Sequence, residues 1–251
     1  MEKEIVLVTG ATSGIGEAIA GLLAENGFRI ILTGRRSDRL EQLKNRFEKL
    51  TSVHTLCFDI RDRALVDKAV DSLPEVWQEV DILINNAGLA AGFDHFHEGD
   101  IEDWEQMIDT NLKGVLYISR KIAPGMIERG SGHIVNVGSI AGSEMYEKGN
   151  VYSATKHAVE ALSKGMRIDM LKHGIKVSTV SPGMVETEFS LVRFKGDKDM
   201  AKHPYRGMKP LTGRDVAEAV LFMLTRPPHV SIHDLLIMPT AQATTLNVLR
   251  D

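Results

Sequence analysis

At 251 residues the chain has room for one large domain or two small ones, and α/β folds of this length commonly build one core, so a single domain over residues 1–251 is expected. Hydrophobic residues make up 43% and charged residues 25%, with a formal net charge of −4; that balance is ordinary for a globular protein and offers a polyanion no electrostatic footprint, which sets nucleic acid aside. No stretch approaches the ~18 apolar residues of a membrane span, and the opening MEKEIVLVTGATSGIG lacks the apolar core of a signal peptide, so a cytoplasmic location and no membrane partner are expected.

The first β-branched run, EIVLVTG, is followed by helical periodicity over 15–26. Between them stand Gly10, Gly14 and Gly16, spaced G-x-x-x-G-x-G. Glycines at a strand-to-helix turn let the backbone approach a pyrophosphate, which the helix N-terminus attracts through its free N–H groups. Glycine triplets also make purely structural turns; the position between strand and helix is what favours a dinucleotide. The second run, RIILTG, ends about twenty residues further on, where a carboxylate would bind the ribose diol of NAD. Gly34, Arg35 and Arg36 stand there instead, and guanidinium forks suit the 2′-phosphate of NADP. Read otherwise, the arginines are a solvated patch and Asp38 is the ribose reader, but Asp38 fits the first turn of the next helix as a dipole partner.

A helix over 38–49 leads to VHTLCFD, one over 62–72 to VDILINN, and one over 101–129 to HIVNVGS. Helices over 152–173 and 213–225 precede IKVSTVSP and DLLIMP, and Gly27, Gly130 and Gly174 stand just past helix ends. Near-continuous apolar strands separated by helices imply an α/β fold: a doubly wound parallel sheet of about seven strands with helices on both faces. The lone cysteine, Cys57, has apolar neighbours and is expected to be a small buried side chain without a disulfide. The one long irregular piece, 186–210, is rich in charge, glycine and proline and contains apolar residues suited to a lid. In DHFHEGD, His95, His97, Glu98 and Asp100 mix potential metal ligands, but no second cluster matches them and no metal is expected.

The segment GSIAGSEMYEKGNVYSATK places Ser139 at a strand end and Tyr152 and Lys156 one helical turn apart. Residues at i and i+4 share a helix face, so the phenol and ammonium are neighbours: a catalytic acid with its tuner, or a plain surface pair. Tyr146, with no lysine four positions on, shows that tyrosines also occur here for other reasons. Asn111 lies mid-helix in MIDTNLKGVLY, where asparagine disfavours a regular helix.

TGATSGIG, then NNAG at 85–88, then Asn111, Ser139, Tyr152 and Lys156 in that order, then Pro182-Gly183, resemble the short-chain dehydrogenase/reductase family over nearly the whole chain. The resemblance implies a Rossmann-like sheet, a nicotinamide cofactor and a catalytic tetrad of Asn111, Ser139, Tyr152 and Lys156. It also implies cofactor contacts from Thr12, Ser13, Ile15, Asp59, Ile60, Asn86, Ala87, Gly88, Tyr152, Lys156, Pro182, Gly183, Val185 and Thr187. Many NADP-dependent members carry a basic residue just before the second glycine; this chain has Ser13, so its NADP preference falls to Arg35 and Arg36. A lysine cation and a positive nicotinamide favour the Tyr152 phenolate, Ser139 can hydrogen-bond the reacting oxygen, and by resemblance Asn111 supports a water that links Lys156 to solvent.

Within the family, EFSLVRFKGD, VDILINNAGLAAG and the NVLRD tail are most similar to bacterial NADP-dependent 3-hydroxy acid dehydrogenases acting on serine, L-allo-threonine and related acids. A hydroxy acid carries a charge that needs a cationic partner in a closed site, and the lid offers Arg193 first and Lys195 second. The alternatives are a reductase of ketones or 3-ketoacyl substrates, or a cofactor-sensing regulator that turns nothing over. By resemblance, subunits pair through 101–129 and 152–173 into a homotetramer.

Overall fold

The computed structural model describes residues 3–251. Seven parallel strands form one sheet in the order β3-β2-β1-β4-β5-β6-β7, with β1 at Ile5–Val8, β2 at Arg29–Gly34, β3 at Val53–Cys57, β4 at Ile82–Asn85, β5 at Gly132–Val137, β6 at Ile175–Pro182 and β7 at Asp234–Ile237. In register, Val6 sits beside Ile30 on one side and Ile82 on the other. Successive strand side chains alternate faces: Val6, Val8, Ile30, Ile82 and Ile84 enter one core layer, Ile5, Leu7, Ile31 and Leu83 the other. Both faces are thus apolar, which is why these strands read as continuous hydrophobic runs.

The first layer is closed by α1 (Gly14–Glu25), α2 (Ser37–Phe47) and, by way of Val216, Ala217, Val220 and Met223, the helix Gly213–Leu224. The second is closed by α3 (Arg63–Asp71), the single turn α4 (Glu75–Gln78), and two long helices, α6 (Gly114–Arg129) and α7 (Asn150–Met170). The chain runs outward from β1 through β2 to β3 and then from β4 to β7 on the other side. That reversal between β1 and β4 opens a crevice at the carboxyl ends of the strands, where doubly wound sheets take their ligands.

Three expectations are corrected. The helix expected over 101–129 is α5 (Ile101–Ile108), a π-helical turn (Asp109–Lys113) and α6; Asn111 sits in the π turn. Segment 186–210 is not irregular: it holds α8 (Glu188–Arg193), α9 (Lys198–Lys202) and a 3₁₀ turn, with Thr187 and Asp197 capping the two helices by their side chains. These helices are too short to show a period, and the helix Gly213–Leu224 that follows is α10. Cys57 is exposed rather than buried. It ends β3, an edge strand in which only Val53 and Leu56 are buried, one on each face of the sheet.

Candidate active site

The turn from β1 to α1 requires its glycines. Gly10 and Gly14 have φ of 63° and 57°, a region L side chains rarely adopt. A Cβ on Gly10 would lie 2.8 Å from the Ala87 Cα, and one on Gly16 would overlap the Gly10 carbonyl and the Asn86 amide. Asn86 Nδ2 donates to the carbonyls of Thr9 (2.9 Å) and Gly10 (3.1 Å), while Thr9 Oγ1 accepts from the amides of Asn86 and Ala87 at 3.0 Å each. The NNAG segment therefore clamps the glycine turn from the neighbouring strand. At the start of α1, Ser13 makes no side-chain cap, which leaves the first-turn amides for an anion. A dinucleotide pyrophosphate fits this cradle.

Arg35 and Arg36 behave differently. Arg36 Nη2 donates to Thr12 Oγ1 (3.0 Å) and Nη1 to Glu188 Oε2 (3.0 Å), so this guanidinium braces the turn against α8. Arg35 stays half exposed, 3.6 Å from Asp59. Burial pushes the Asp59 carboxyl up, but hydrogen bonds from Arg61 and the charges of Arg61 and Arg35 hold it below its ordinary value. Arg61 Nη2 lies 2.7 Å from it, so Arg35 is the less committed cation. Asp38 sits in the first turn of α2, as its sequence position suggested.

One cleft of about 840 Å³ joins this cradle to Ser139, Tyr152 and Lys156, and Asp59, Ile60, Pro182, Gly183, Val185 and Thr187 line it too. Two residues past β5, Ser139 opens a 3₁₀ turn and accepts from the Ala141 amide at 3.1 Å. Tyr152 and Lys156 lie on the first turns of α7. Lys156 Nζ donates to the Val137 carbonyl at 2.9 Å and stands 5.9 Å from the Tyr152 ring centroid. Burial pulls Lys156 down to about 8. Burial also pushes the Tyr152 phenol well up, aided by Tyr146, while a hydrogen bond with Ser139 and the charge of Arg193 act against the rise. Burial is the largest influence on each of the two groups.

Asn111 is buried under Leu89. Its Oδ1 accepts from the Leu89 amide and its Nδ2 donates to the Leu89 carbonyl, both at 2.8 Å, with a further donation to Thr155 Oγ1 at 3.0 Å. The π turn is what aims this side chain sideways at the loop after β4. A Cβ on Gly88 would lie 3.2 Å from Asn111 Oδ1 and 3.6 Å from Lys156 Nζ, so both groups flank Gly88.

Of the two cations expected to partner a substrate carboxylate, Arg193 lines the cleft and Lys195 does not. Lys195 is corrected as a substrate candidate: its ammonium pairs with Asp103 (2.9 Å) and Asp100 (3.6 Å), neither of which lines the cleft. Arg193 Nη1 donates to Tyr146 Oη at 2.7 Å. The sequence offers Tyr146 no lysine at helical spacing; its partner comes from 47 positions away, which no local pattern reveals. Phe189 was also missed. It meets the Tyr152 ring edge-on at 5.6 Å and, with only lid neighbours in sequence, gave no signal. Among the described residues no group of acidic, histidine or cysteine side chains could hold a metal, and no helix is long and apolar enough to cross a membrane.

Residues 4–197 match a family model described as short chain dehydrogenase. The chain is 48% identical over 240 residues to the NADP-dependent 3-hydroxy acid dehydrogenase YdfG of Salmonella typhi, covering 95% of this chain and 96% of that one. It is 44% identical over 242 residues to sulfoacetaldehyde reductase 2 of Chromohalobacter salexigens, covering 96% of each. Among solved structures, the closed form of serine dehydrogenase complexed with NADP+ superposes with a TM-score of 0.92 at 47% identity, over 98% of this chain and 100% of that one.

Proposed function

The chain belongs to the short-chain dehydrogenase family, and from that membership we propose that it is an NADP-dependent oxidoreductase acting on the 3-hydroxyl carbon of a small 3-hydroxy acid of the serine, L-allo-threonine or 3-hydroxyisobutyrate type. The observation that carries this reading is the opening of Ser139, Tyr152 and Lys156 onto the same cleft as the glycine turn. The relatives named above add the substrate class: a 3-hydroxy acid and sulfoacetaldehyde both place an anionic group one carbon away from the carbon that bears oxygen.

The Gly10–Gly14 turn and the α1 amides would hold the pyrophosphate, Arg35 with Arg36 the 2′-phosphate, and Pro182 through Thr187 the nicotinamide end. Bound there, NADP supplies the acceptor or donor of a hydride. Ser139 Oγ hydrogen-bonds the substrate oxygen and stabilises charge as it develops. Tyr152 takes the hydroxyl proton on oxidation and returns it on reduction. Burial keeps this phenol protonated through neutral pH, so the protein's own electrostatics equip it first as an acid. Lys156 sits beside it as a cation, and Asn111 fixes the loop at Gly88 and Leu89 that forms the wall of the site.

We read residues 1–251 as one domain with a lid over about 186–210, in a cytoplasmic homotetramer. Support for assembly comes from large apolar side chains left exposed on the helices expected to pair: Leu116 at 41%, Ile168 at 74% and Leu171 nearby at 75%. Light scattering tests the tetramer, and cell fractionation tests the location. The activity is tested by following NADPH absorbance with L- and D-serine, L-allo-threonine, 3-hydroxyisobutyrate and neutral alcohols, with NAD as the control cofactor. Turnover of the hydroxy acids with NADP is expected; turnover of the alcohols alone would reject the substrate class.

A further inference from the structure

The corner of the cleft that would take the 2′-phosphate holds anions as well as cations. Arg35 and Arg36 line the cleft there, and so do two carboxylates, Asp59 and Glu188. Arg35 lies 3.6 Å from Asp59, and Arg36 lies 3.0 Å from Glu188. At such separations charges interact strongly even in a partly wet site, so each carboxylate repels an incoming phosphate and competes with it for a guanidinium. A carboxylate near the ribose favours the bare diol of NAD over its 2′-phosphorylated counterpart, yet NADP-dependent relatives are similar to this chain.

What offsets these carboxylates stands outside the cleft. Arg61 and Arg39 do not line it, yet each holds one of the two. Arg61 Nη2 donates to Asp59 Oδ2 at 2.7 Å, and its Nε donates to Oδ2 at 3.0 Å and to Oδ1 at 3.1 Å. The Arg61 backbone amide adds a bond to Oδ1 at 3.0 Å. Arg39 repeats the arrangement in weaker form, 3.6 Å from Glu188. The Asp59 side chain is 25% exposed against 42% for Glu188, so water screens the Arg61 pair less. Asp109 also acts on Arg61, but it has Lys113 at 2.7 Å. Asp59 is therefore the main partner of Arg61, and their hydrogen bond raises that guanidinium above its ordinary value.

We propose that Arg61 is a positioning residue for cofactor choice: it holds and neutralises Asp59, so that Arg35 can leave that carboxylate for a 2′-phosphate. The inference rests on the NADP reading above and names a residue outside the cleft on which the preference depends. Among the described residues, Asp59 has ion pairs with Arg35 and Arg61 alone. Without Arg61, phosphate binding must break the Arg35 pair and leave a bare carboxylate beside a second anion. With Arg61, Asp59 keeps a forked partner when Arg35 turns away. A carboxylate in this corner then no longer selects NAD, because its charge is already met from the far side.

The test titrates the cofactor-free enzyme with NADPH and with NADH, followed by cofactor fluorescence, so no turnover is needed. The ratio of the two dissociation constants cancels whatever both cofactors share, contacts of adenine included. R61M should shift that ratio toward NADH by about ten-fold, as expected when a charged group loses its counter-charge, while NADH affinity itself changes less than about three-fold. D59N/R61M should return the ratio to within about three-fold of the wild type, because the carboxylate that opposed the phosphate is gone. R61K, which keeps a point charge without the fork, should shift the ratio by about three-fold. Adenosine 2′,5′-bisphosphate should displace NADPH less well from R61M than from the wild type relative to 5′-AMP. Equal losses on NADPH and NADH in R61M, or a D59N/R61M ratio as far from the wild type as that of R61M, would overturn the inference and leave the NADP reading standing. A wild type that binds NADH more tightly than NADPH overturns the NADP reading and this inference with it. Should R61M fail to fold, R61K and D59N/R61M still decide, since the first must shift the ratio and the second must not.

Discussion

The floor of the cleft and segment 186–210, which we propose as its lid, border one space but are made of different material. The floor is backbone: a Cβ on Gly10 would meet the Ala87 Cα, one on Gly16 would meet the Gly10 carbonyl, and Gly14 holds a φ of 57°. The lid is side chains: Glu188 reaches Arg36, Arg193 reaches Tyr146, and Tyr205 Oη donates to the Val185 carbonyl at 2.9 Å. A backbone cradle tolerates one ligand geometry and is indifferent to what reacts beyond it. A side-chain lid can be re-specified by single substitutions, and that is where relatives of one fold can diverge in substrate.

The difference is broken most severely at the seam between the two. Tyr152→Phe removes one oxygen and should lower kcat by about 10²- to 10⁴-fold, while NADP affinity, measured by fluorescence titration, stays within a factor of about two; unchanged turnover would discard the mechanism. A cradle change should do the reverse. In Gly16→Ala the added methyl meets backbone at Gly10, overpacking costs about 1–3 kcal/mol, and NADP affinity should drop about ten-fold or more without a selective effect on any substrate. If that variant discriminates among substrates, floor and lid are not separable.

A smaller effect separates the two arginines. Arg35→Ala should raise the KM for NADP by roughly ten-fold, because a half-exposed guanidinium contributes less than a buried fork, and leave that for NAD unchanged. Arg36→Ala should weaken both cofactors, since Arg36 braces Thr12 and Glu188. The pH dependence follows from burial of Tyr152. A raised phenol is protonated at neutral pH, so its base form grows as pH rises; oxidation should climb steadily from pH 7 towards pH 10, while reduction, which uses the acid form, stays level near neutrality. Stopped assays in both directions measure this, and oxidation that falls as pH rises would contradict it. The smallest effect belongs to Lys195→Ala, which breaks an outer, solvent-screened pair at less than about 1 kcal/mol and should leave KM for the acid unchanged.

What could be read from the sequence follows the same division. The glycine turn, the arginines after β2, and Tyr152 with Lys156 are each fixed by spacing within a few residues, so local pattern carries them. Seven apolar runs gave the sheet because both its faces are covered. The Arg193–Tyr146 pair, the Phe189 contact with Tyr152 and the outward turn of Lys195 are set by how the lid folds back over α5 and α7, and no periodicity encodes that. Cys57 failed for a related reason: apolar neighbours in sequence do not reveal that the strand carrying them lies at the sheet edge.

The π turn at Asp109–Lys113 also sets the phase of the whole rod from Ile101 to Arg129. One extra residue in a helix turns everything beyond it by about 100°. Met107 on α5 can therefore face Leu89 and the wall of the cleft while Ile118, Ile122 and Met126 on α6 face the sheet. Removing a single residue from DTNLK would keep the rod helical and every local propensity intact, yet it would rotate one of these two faces into solvent. The spacing between active site and core is stored there as an angle, and a length change of one residue at Asn111 is a larger perturbation than most substitutions along either helix.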